Sequence, residues 1–312
     1  MSALTLVLGS ILAASGGVKV TIESPAKVFR PGQKMPLRFT IENDGEAEAK
    51  LDEPDNYLEG LEIRDPEDRV VKATGKTKGI TRRTPTVEAG GFIGRTVDIA
   101  AALPVTEDKE GYYKIRWSFG DATSNEVRIL VMRDWIAAIE TNHGIIQIEF
   151  RPDLAPNHVF NFLRLARSGF YEKSTFHRII PGFMMQGGTP APGKAEVKPL
   201  KAEFSPVKHV FGTVSAARTP DPDSATSQFF ICFGPVAHLD NAYTVFAQVV
   251  KGEEVVKDIE KVKSDHSPCK GCGQKNDRPG ATPCCGRPGH HQDRPESDVV
   301  IKSVTLSERK PK

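Results

Sequence analysis

Four of the five cysteines in this 312-residue chain crowd between positions 269 and 285, and two histidines follow at 290 and 291. The order is Cys269-x-x-Cys272, eleven residues, Cys284-Cys285, then His290-His291, with His266 just ahead. Thiolate and imidazole are the ligands of a tetrahedral zinc site, and C-x-x-C is a common way to supply two of them. Cys269, Cys272, one of Cys284 or Cys285 and one of His290 or His291 would complete a structural zinc set, and copper accepts the same donors. Disulfide pairing is the competing chemistry in an oxidising compartment, and a loop with reduced thiols is the third. The surrounding stretch, 264–297, has no Val, Ile, Leu, Phe or Met but five Gly and five Pro. It cannot bury a core of its own, so it is either stapled or disordered. A redox role for the C-x-x-C lacks the surrounding βαβ unit. The fifth cysteine, Cys232, lies in the apolar run SQFFICFG and reads as core.

A second set of residues points to chemistry without metal. The run FHRIIPGFMMQGG, from Phe176 to Gly188, places one arginine and one glutamine among apolar side chains. It is followed by GTVSAARTPDPDSATSQFFICF at 212–233 and HLDNAYTVFAQVVKGEEVV at 238–256. In content, order and spacing the three runs resemble the active-site segments of the cyclophilin family of peptidyl-prolyl cis-trans isomerases. Three long matches in sequence order are far more specific than a single short motif. The resemblance covers about 134–312, apart from the insertion at 264–297.

It implies an eight-stranded antiparallel β-barrel capped by two helices, acting on X-Pro peptide bonds of polypeptide substrates and needing no cofactor. It implies that Arg178 is the catalytic arginine, and that Gln186 bonds the substrate backbone and helps orient that arginine. Phe183, Met184, Phe230 and Leu239 match the proline pocket. Ala217 and Arg218 match the strand edge that pairs with substrate main chain, and Gln228 a polar residue of the groove. The best-known eukaryotic members border the pocket with Trp and His, where this chain has His238 and Tyr243. Bacterial members often carry Tyr at the second position. The chemistry transfers no proton, so His177 beside the arginine is expected to be structural. The alternative function is a chaperone or scaffold module that binds Pro-containing peptides with little turnover.

These residues need strands to hold them. IAAIETNHGIIQIEF (136–150) reads as two strands around the turn Thr141–Gly144. Pro156 opens a helix that Gly169 ends, with Val159, Phe160, Leu163 and Ala166 on one face. A second helix is expected near 253–262, with Val255, Val256, Ile259 and Val262 inward, and DVVIKSVTL supplies a last strand.

Before the join at Met132–Trp135, residues 18–132 alternate apolar and polar with period two: VKVTIE, PLRFTIEN, LEGLEIR, RVVKA, GRTVDIA, YYKIRWSF and EVRILVM. Short strands at this spacing predict an Ig-like β-sandwich, with Trp117 in its core. It holds no catalytic cluster, so it reads as a spacer or as a docking domain for a protein partner. The acidic stretch Glu46, Glu48, Asp52, Glu53 and Asp55 reads as a solvated face.

Forty-two Lys and Arg against 40 Asp and Glu leave a net charge of +2, which supplies no basic face for nucleic acid. The apolar run Ala3–Ala14 is too short to span a bilayer. It precedes Ser15 and Gly16, small residues that suit signal-peptidase cleavage, so 1–17 reads as a signal peptide. An exported chain in a periplasmic or other extracytoplasmic space follows, with a cytoplasmic one if 1–17 is instead a first strand or helix. No later segment is long and apolar enough to span a membrane.

Overall fold

The computed structural model describes residues 17–73, 80–103, 109–190, 197–264 and 293–309. The chain divides into two compact units between Arg133 and Asp134.

The first unit is built from β1 (Val18–Glu23), β2 (Val28–Phe29), β3 (Pro36–Asn43), β4 (Ala49–Lys50), β5 (Leu61–Arg64) and β6 (Val70–Lys72). It continues with β7 (Thr86–Val87), β8 (Phe92–Asp98), β9 (Gly111–Phe119), β10 (Ala122–Thr123) and β11 (Val127–Val131). The two main sheets have the orders β1-β3-β8 and β2-β11-β9-β5-β6, the latter with β10 paired to β9, and β4 pairs with β7 in a third sheet of two strands. Side chains from both sheets share one core. Alternation drives this: in β3, Leu37, Phe39, Ile41 and Asn43 are buried while the residues between them are more exposed. Trp117 lies at the centre, edge-on to Phe39 at 5.1 Å and stacked on Tyr57 at 5.6 Å.

The acidic stretch departs from expectation at Glu53, which is fully buried rather than solvated. Arg95 and Arg83 bond its carboxylate, the latter at 2.9 Å, and the Tyr57 hydroxyl donates to it at 3.3 Å. Burial pushes the carboxyl up, and the two guanidinium groups more than offset it, leaving it below its ordinary value. The arginines lie 30 and 42 residues from Glu53, beyond the reach of any local pattern.

The second unit contains β12 (Trp135–Thr141), β13 (Gly144–Phe150), β14 (Arg178–Ile180), β15 (Met184–Gly187), β16 (Thr213–Ala216), β17 (Phe229–Cys232), β18 (Val245–Lys251) and β19 (Ile301–Glu308). They form one antiparallel sheet of order β14-β15-β17-β16-β18-β13-β12-β19. Its two ends curl together. Lys173 N donates to Ile301 O at 2.9 Å, Ile301 N to Ser174 O at 2.8 Å and Phe176 N to Val299 O at 2.9 Å.

Two helices pack on this sheet, α1 (Pro156–Arg167) against β18 and β19, and α2 (Glu253–Glu260) against β13. Pro156 suits the first turn because its missing N–H would be unpaired there. The next two amides, Asn157 N and His158 N, donate to the Glu203 carboxylate at 3.2 and 3.1 Å, which satisfies the positive end of the helix. Gly169 ends it at φ +64°. The buried stripe is Val159, Phe162, Leu163 and Ala166, spaced i, i+3, i+4, i+7, and Phe160 is only half-buried. The Phe162 ring meets Phe150, Tyr171, Phe229 and Phe246 at 4.8–5.7 Å, so it, not Phe160, anchors the helix. In α2, Val255, Val256 and Ile259 are buried as expected, while Val262 lies beyond the helix and is half-buried.

Candidate active site

The β14–β15 hairpin organises the site. Its turn, Ile180-Pro181-Gly182-Phe183, closes with Phe183 N donating to Ile180 O at 3.0 Å. Proline presets the second turn position, and Gly182 takes φ +74° at the third, which a side chain would resist. This turn fixes the register: Arg178 stands opposite Gln186, and Ile180 opposite Met184. Across the next ladder, Gln186 is opposite Phe230 and Met184 opposite Cys232. Residues opposite each other in antiparallel strands share a face. Arg178, Gln186 and Phe230 therefore form one row, with Ile180, Met184 and Cys232 the next. The intervening residues Ile179, Met185 and Ile231 point the other way and are fully buried. So one face of these strands feeds the core, and the opposite face carries the arginine beside an apolar hollow.

The hollow is a separate cluster. Met184, Phe230, Cys232, Val236 and Leu239 are buried in it, with Ile180, Phe183, Ala217 and Tyr243 partly buried against it. Phe183 and His238 face each other at the rim, ring centroids 5.4 Å apart, and Tyr243 stands edge-on to Phe230 at 5.5 Å. Burial pushes the Cys232 thiol up to about 12, so it is an inert floor residue.

The polar side chains have definite partners. Gln186 Nε2 donates to Gln228 Oε1 at 2.9 Å. Arg178 is half-buried, and its Nε donates to Asp293 Oδ2 at 3.2 Å. The hydrogen bonds of Arg178 and Gln186 thus run to Asp293 and to Gln228 rather than to each other. Ala217 N pairs with Gln228 O at 2.9 Å, continuing the edge beside the hollow. Arg218 does more than present backbone there. Its guanidinium donates to the carbonyls of Ala242, Thr219 and Pro220 at 2.8–3.1 Å and lies 4.5 Å over the Tyr243 ring. It ties the 217–220 turn to the rim. His177 Nδ1 is 3.2 Å from Thr189 Oγ1, a structural contact.

Behind the hollow lies a buried group that sequence reasoning missed. His209 Nδ1 is 3.1 Å from Asp240 Oδ1, and its Nε2 is 2.9 Å from Ser215 Oγ. The His209 main-chain N–H holds Asp240 down to about 2, with Lys208 and the His209 ring adding to it against burial. Burial lowers His209, more than Asp240 raises it. The only clue available in the sequence was a His and an Asp flanking the second run.

Cys269, Cys272, Cys284, Cys285, His290 and His291 lie outside the described residues, as does His266. The ends of that stretch meet: Glu296 N donates to Lys263 O at 2.8 Å, and Ser264 bridges to Pro295. Among the described residues, no helix is long and apolar enough to cross a membrane.

The family model for cyclophilin-type peptidyl-prolyl cis-trans isomerases matches residues 136–306. Peptidyl-prolyl cis-trans isomerase B of Escherichia coli (strain K12) is 40% identical over 185 residues, covering 55% of this chain and 100% of its own. Peptidyl-prolyl cis-trans isomerase A of Dickeya dadantii is 42% identical over 177 residues, covering 54% of this chain and 82% of its own. A crystal structure of a Cryptosporidium parvum cyclophilin-type isomerase aligns with 25% identity and a TM-score of 0.46, over 57% of this chain and 100% of that one.

Proposed function

Because the chain belongs to the cyclophilin family of peptidyl-prolyl cis-trans isomerases, we propose that Arg178 is the group that lowers the barrier to rotation about an X-Pro bond seated on the β14–β15–β17 face. Resonance gives that bond its double-bond character and a barrier of about 18–20 kcal/mol. At the twisted state resonance is lost, and the prolyl nitrogen gains a lone pair that accepts a hydrogen bond. A guanidinium N–H fixed near that nitrogen stabilises the twisted state more than either planar form. No bond breaks, so the reaction calls for no nucleophile, proton carrier or cofactor.

The proline ring sits in the hollow of Phe183, Met184, Phe230 and Leu239, which holds one side of the bond while the other turns. Gln186, Gln228 and the 217–218 edge bind substrate main chain, where backbone pairing depends little on the Arg218 side chain. His238 and Tyr243 form the rim. The observation that carries this reading is the register that puts Arg178 and the apolar cluster on the same face. The full chain is assayed on an X-Pro peptide with a coupled protease. Arg178→Ala is expected to lower kcat/KM by about 100-fold or more, as loss of a transition-state donor does. An Arg178→Ala variant within threefold of wild type would overturn the assignment.

We extend the reading to the rest of the chain. The curled sheet is taken as a closed barrel, and the first unit as an Ig-like sandwich that docks a protein partner. Residues 1–17 are taken as a signal peptide, and the isomerase as one that assists folding of exported proteins. Mass spectrometry of the mature protein tests the cleavage. Metal analysis of untagged protein with a thiol count tests whether 264–297 holds zinc, disulfides or neither.

A further inference from the structure

The arginine is carried by β14, yet the carboxylate that holds it comes from 115 residues later. Asp293 touches β14 twice: its side chain accepts from Arg178 Nε at 3.2 Å, and its carbonyl accepts from the neighbouring Ile179 N at 2.8 Å. Both side chains of the ion pair are about four-fifths covered, with 22% and 19% exposed, so the contact is not a solvated surface pair. Asp293 also holds a left-handed backbone, φ +71°, a conformation that Asp tolerates better than most non-glycine residues.

A guanidinium has five N–H donors in one plane. A bond at Nε fixes that plane and leaves the four donors on the terminal Nη atoms. An arginine on a flexible stem loses side-chain freedom whenever it must hold one geometry, and a fixed partner removes that freedom in advance. Stabilisation of a twisted amide depends on this kind of preorganisation, since a donor displaced by about 1 Å can lose about 100-fold in rate.

We propose that Asp293 is a positioning residue for the isomerase reaction, its carboxylate fixing the Arg178 guanidinium while its main chain fixes β14. This rests on Arg178 being the donor to the twisted bond. The role is geometric, and a carboxylate beside a guanidinium also offsets part of its charge. Replacing the carboxylate by an amide therefore keeps the acceptor and tests orientation apart from charge. Truncating it leaves the Ile179 N–Asp293 O bond in place, because that bond is main chain.

The test measures kcat and KM separately, by NMR exchange on an X-Pro peptide, for the full chain and for Asp293→Ala, Asp293→Asn, Arg178→Ala and the Arg178→Ala/Asp293→Ala double variant. Asp293→Ala is expected to lower kcat about tenfold with KM within twofold, because the proline hollow is untouched. Asp293→Asn should keep at least half of the wild-type kcat, and the double variant should be no slower than Arg178→Ala alone. The Arg178 Hε resonance, protected in wild type, should remain in Asp293→Asn and exchange rapidly in Asp293→Ala.

If Asp293→Ala retains kcat while Arg178→Ala loses it, the positioning role is wrong and the assignment of the arginine stands. If Arg178→Ala retains kcat, the assignment itself fails. Equal losses in Asp293→Ala and Asp293→Asn, or an additive double variant, would show that Asp293 does not act by orienting Arg178. Should Asp293→Ala fail to fold, Asp293→Asn and its Hε protection decide the question, and an unprotected Hε in an active Asn variant overturns the proposal.

Discussion

The His209 imidazole lies nearly parallel to the Phe230 ring, with centroids 6.1 Å apart and planes 19° apart. Bonded to Asp240 on one side and Ser215 on the other, it backs the aromatic floor of the apolar hollow with a polar group whose removal takes the ring partner from the fully buried Ser215 hydroxyl, while Asp240 keeps the His209 main-chain N–H and Lys208. His209→Ala removes that backing and leaves the Ser215 hydroxyl short of a partner, while Asp240 keeps its bonds to the residue 209 main-chain N–H and to Lys208. Buried groups left unpaired cost about 1–3 kcal/mol each. A loss of about 2 kcal/mol by urea unfolding is expected, with kcat/KM falling alongside. A variant as stable and active as wild type would show the stack to be idle.

The same histidine makes stability depend on pH. Its folded value is depressed below the ordinary 6.5, chiefly by burial. As pH falls through 6.5 the unfolded chain takes up a proton before the folded one does, so stability falls with pH. Asp240 is also depressed, to about 2 from an ordinary 3.8, so its contribution holds above 3.8 and is lost only in stronger acid. The urea midpoint should therefore decline between pH 7 and 5, and His209→Gln should flatten that slope. An unchanged slope in the variant would assign the decline to other groups.

Cyclosporin should bind weakly. Where an indole would offer a donor and a broad apolar face, the rim has His238 packed on Phe183 and Tyr243 packed on Phe230. A dissociation constant above about 1 µM is expected by calorimetry. The proposed mechanism makes no use of an indole, so catalysis should persist in the presence of the drug. Submicromolar binding would contradict this account of the rim.

Phe162 and Phe160, two residues apart on α1, should differ sharply on truncation. Phe162 is buried among four rings, and Phe162→Ala is expected to cost about 3–5 kcal/mol. Phe160 is only half-buried, and its alanine variant should cost about 1 kcal/mol. Equal costs in thermal or urea melts would mean that the helix face has been misjudged.

In the first unit, Glu53→Ala is expected to destabilise by about 1–3 kcal/mol, since it strips the buried Tyr57 hydroxyl of an acceptor while the two arginines can return to water. Urea unfolding resolves an effect of that size, and no loss would make the cluster dispensable.

Much of the architecture could be read from local pattern. Alternation marks β3 and β9, proline and glycine bracket α1, and a Pro-Gly turn announces the β14–β15 hairpin. The three runs also carry the side chains that the structure gathers on one face. Pairing at long range leaves no such local mark. Glu53 looks like one more surface carboxylate until Arg83 and Arg95 fold back onto it. Asp293 stands at the end of a stretch read for its cysteines, and nothing near it in sequence points to Arg178. His209 and Asp240 are 31 residues apart, each unremarkable alone. Phe160 and Phe162 are hard to tell apart for a different reason: both are apolar, two residues apart, and only the phase of the helix, set by packing on β18 and β19, separates them.

The hairpin strands serve two clients at once. Ile179, Met185 and Ile231 answer to packing, while Arg178, Gln186 and Phe230 lie on the face proposed for the peptide, and parity along the chain keeps the two sets apart. Substitutions on one side can thus accumulate without disturbing the other. A single inserted or deleted residue cannot be absorbed in this way, since it would exchange the clients, sending a charged group inward and greasy ones outward in the same stroke.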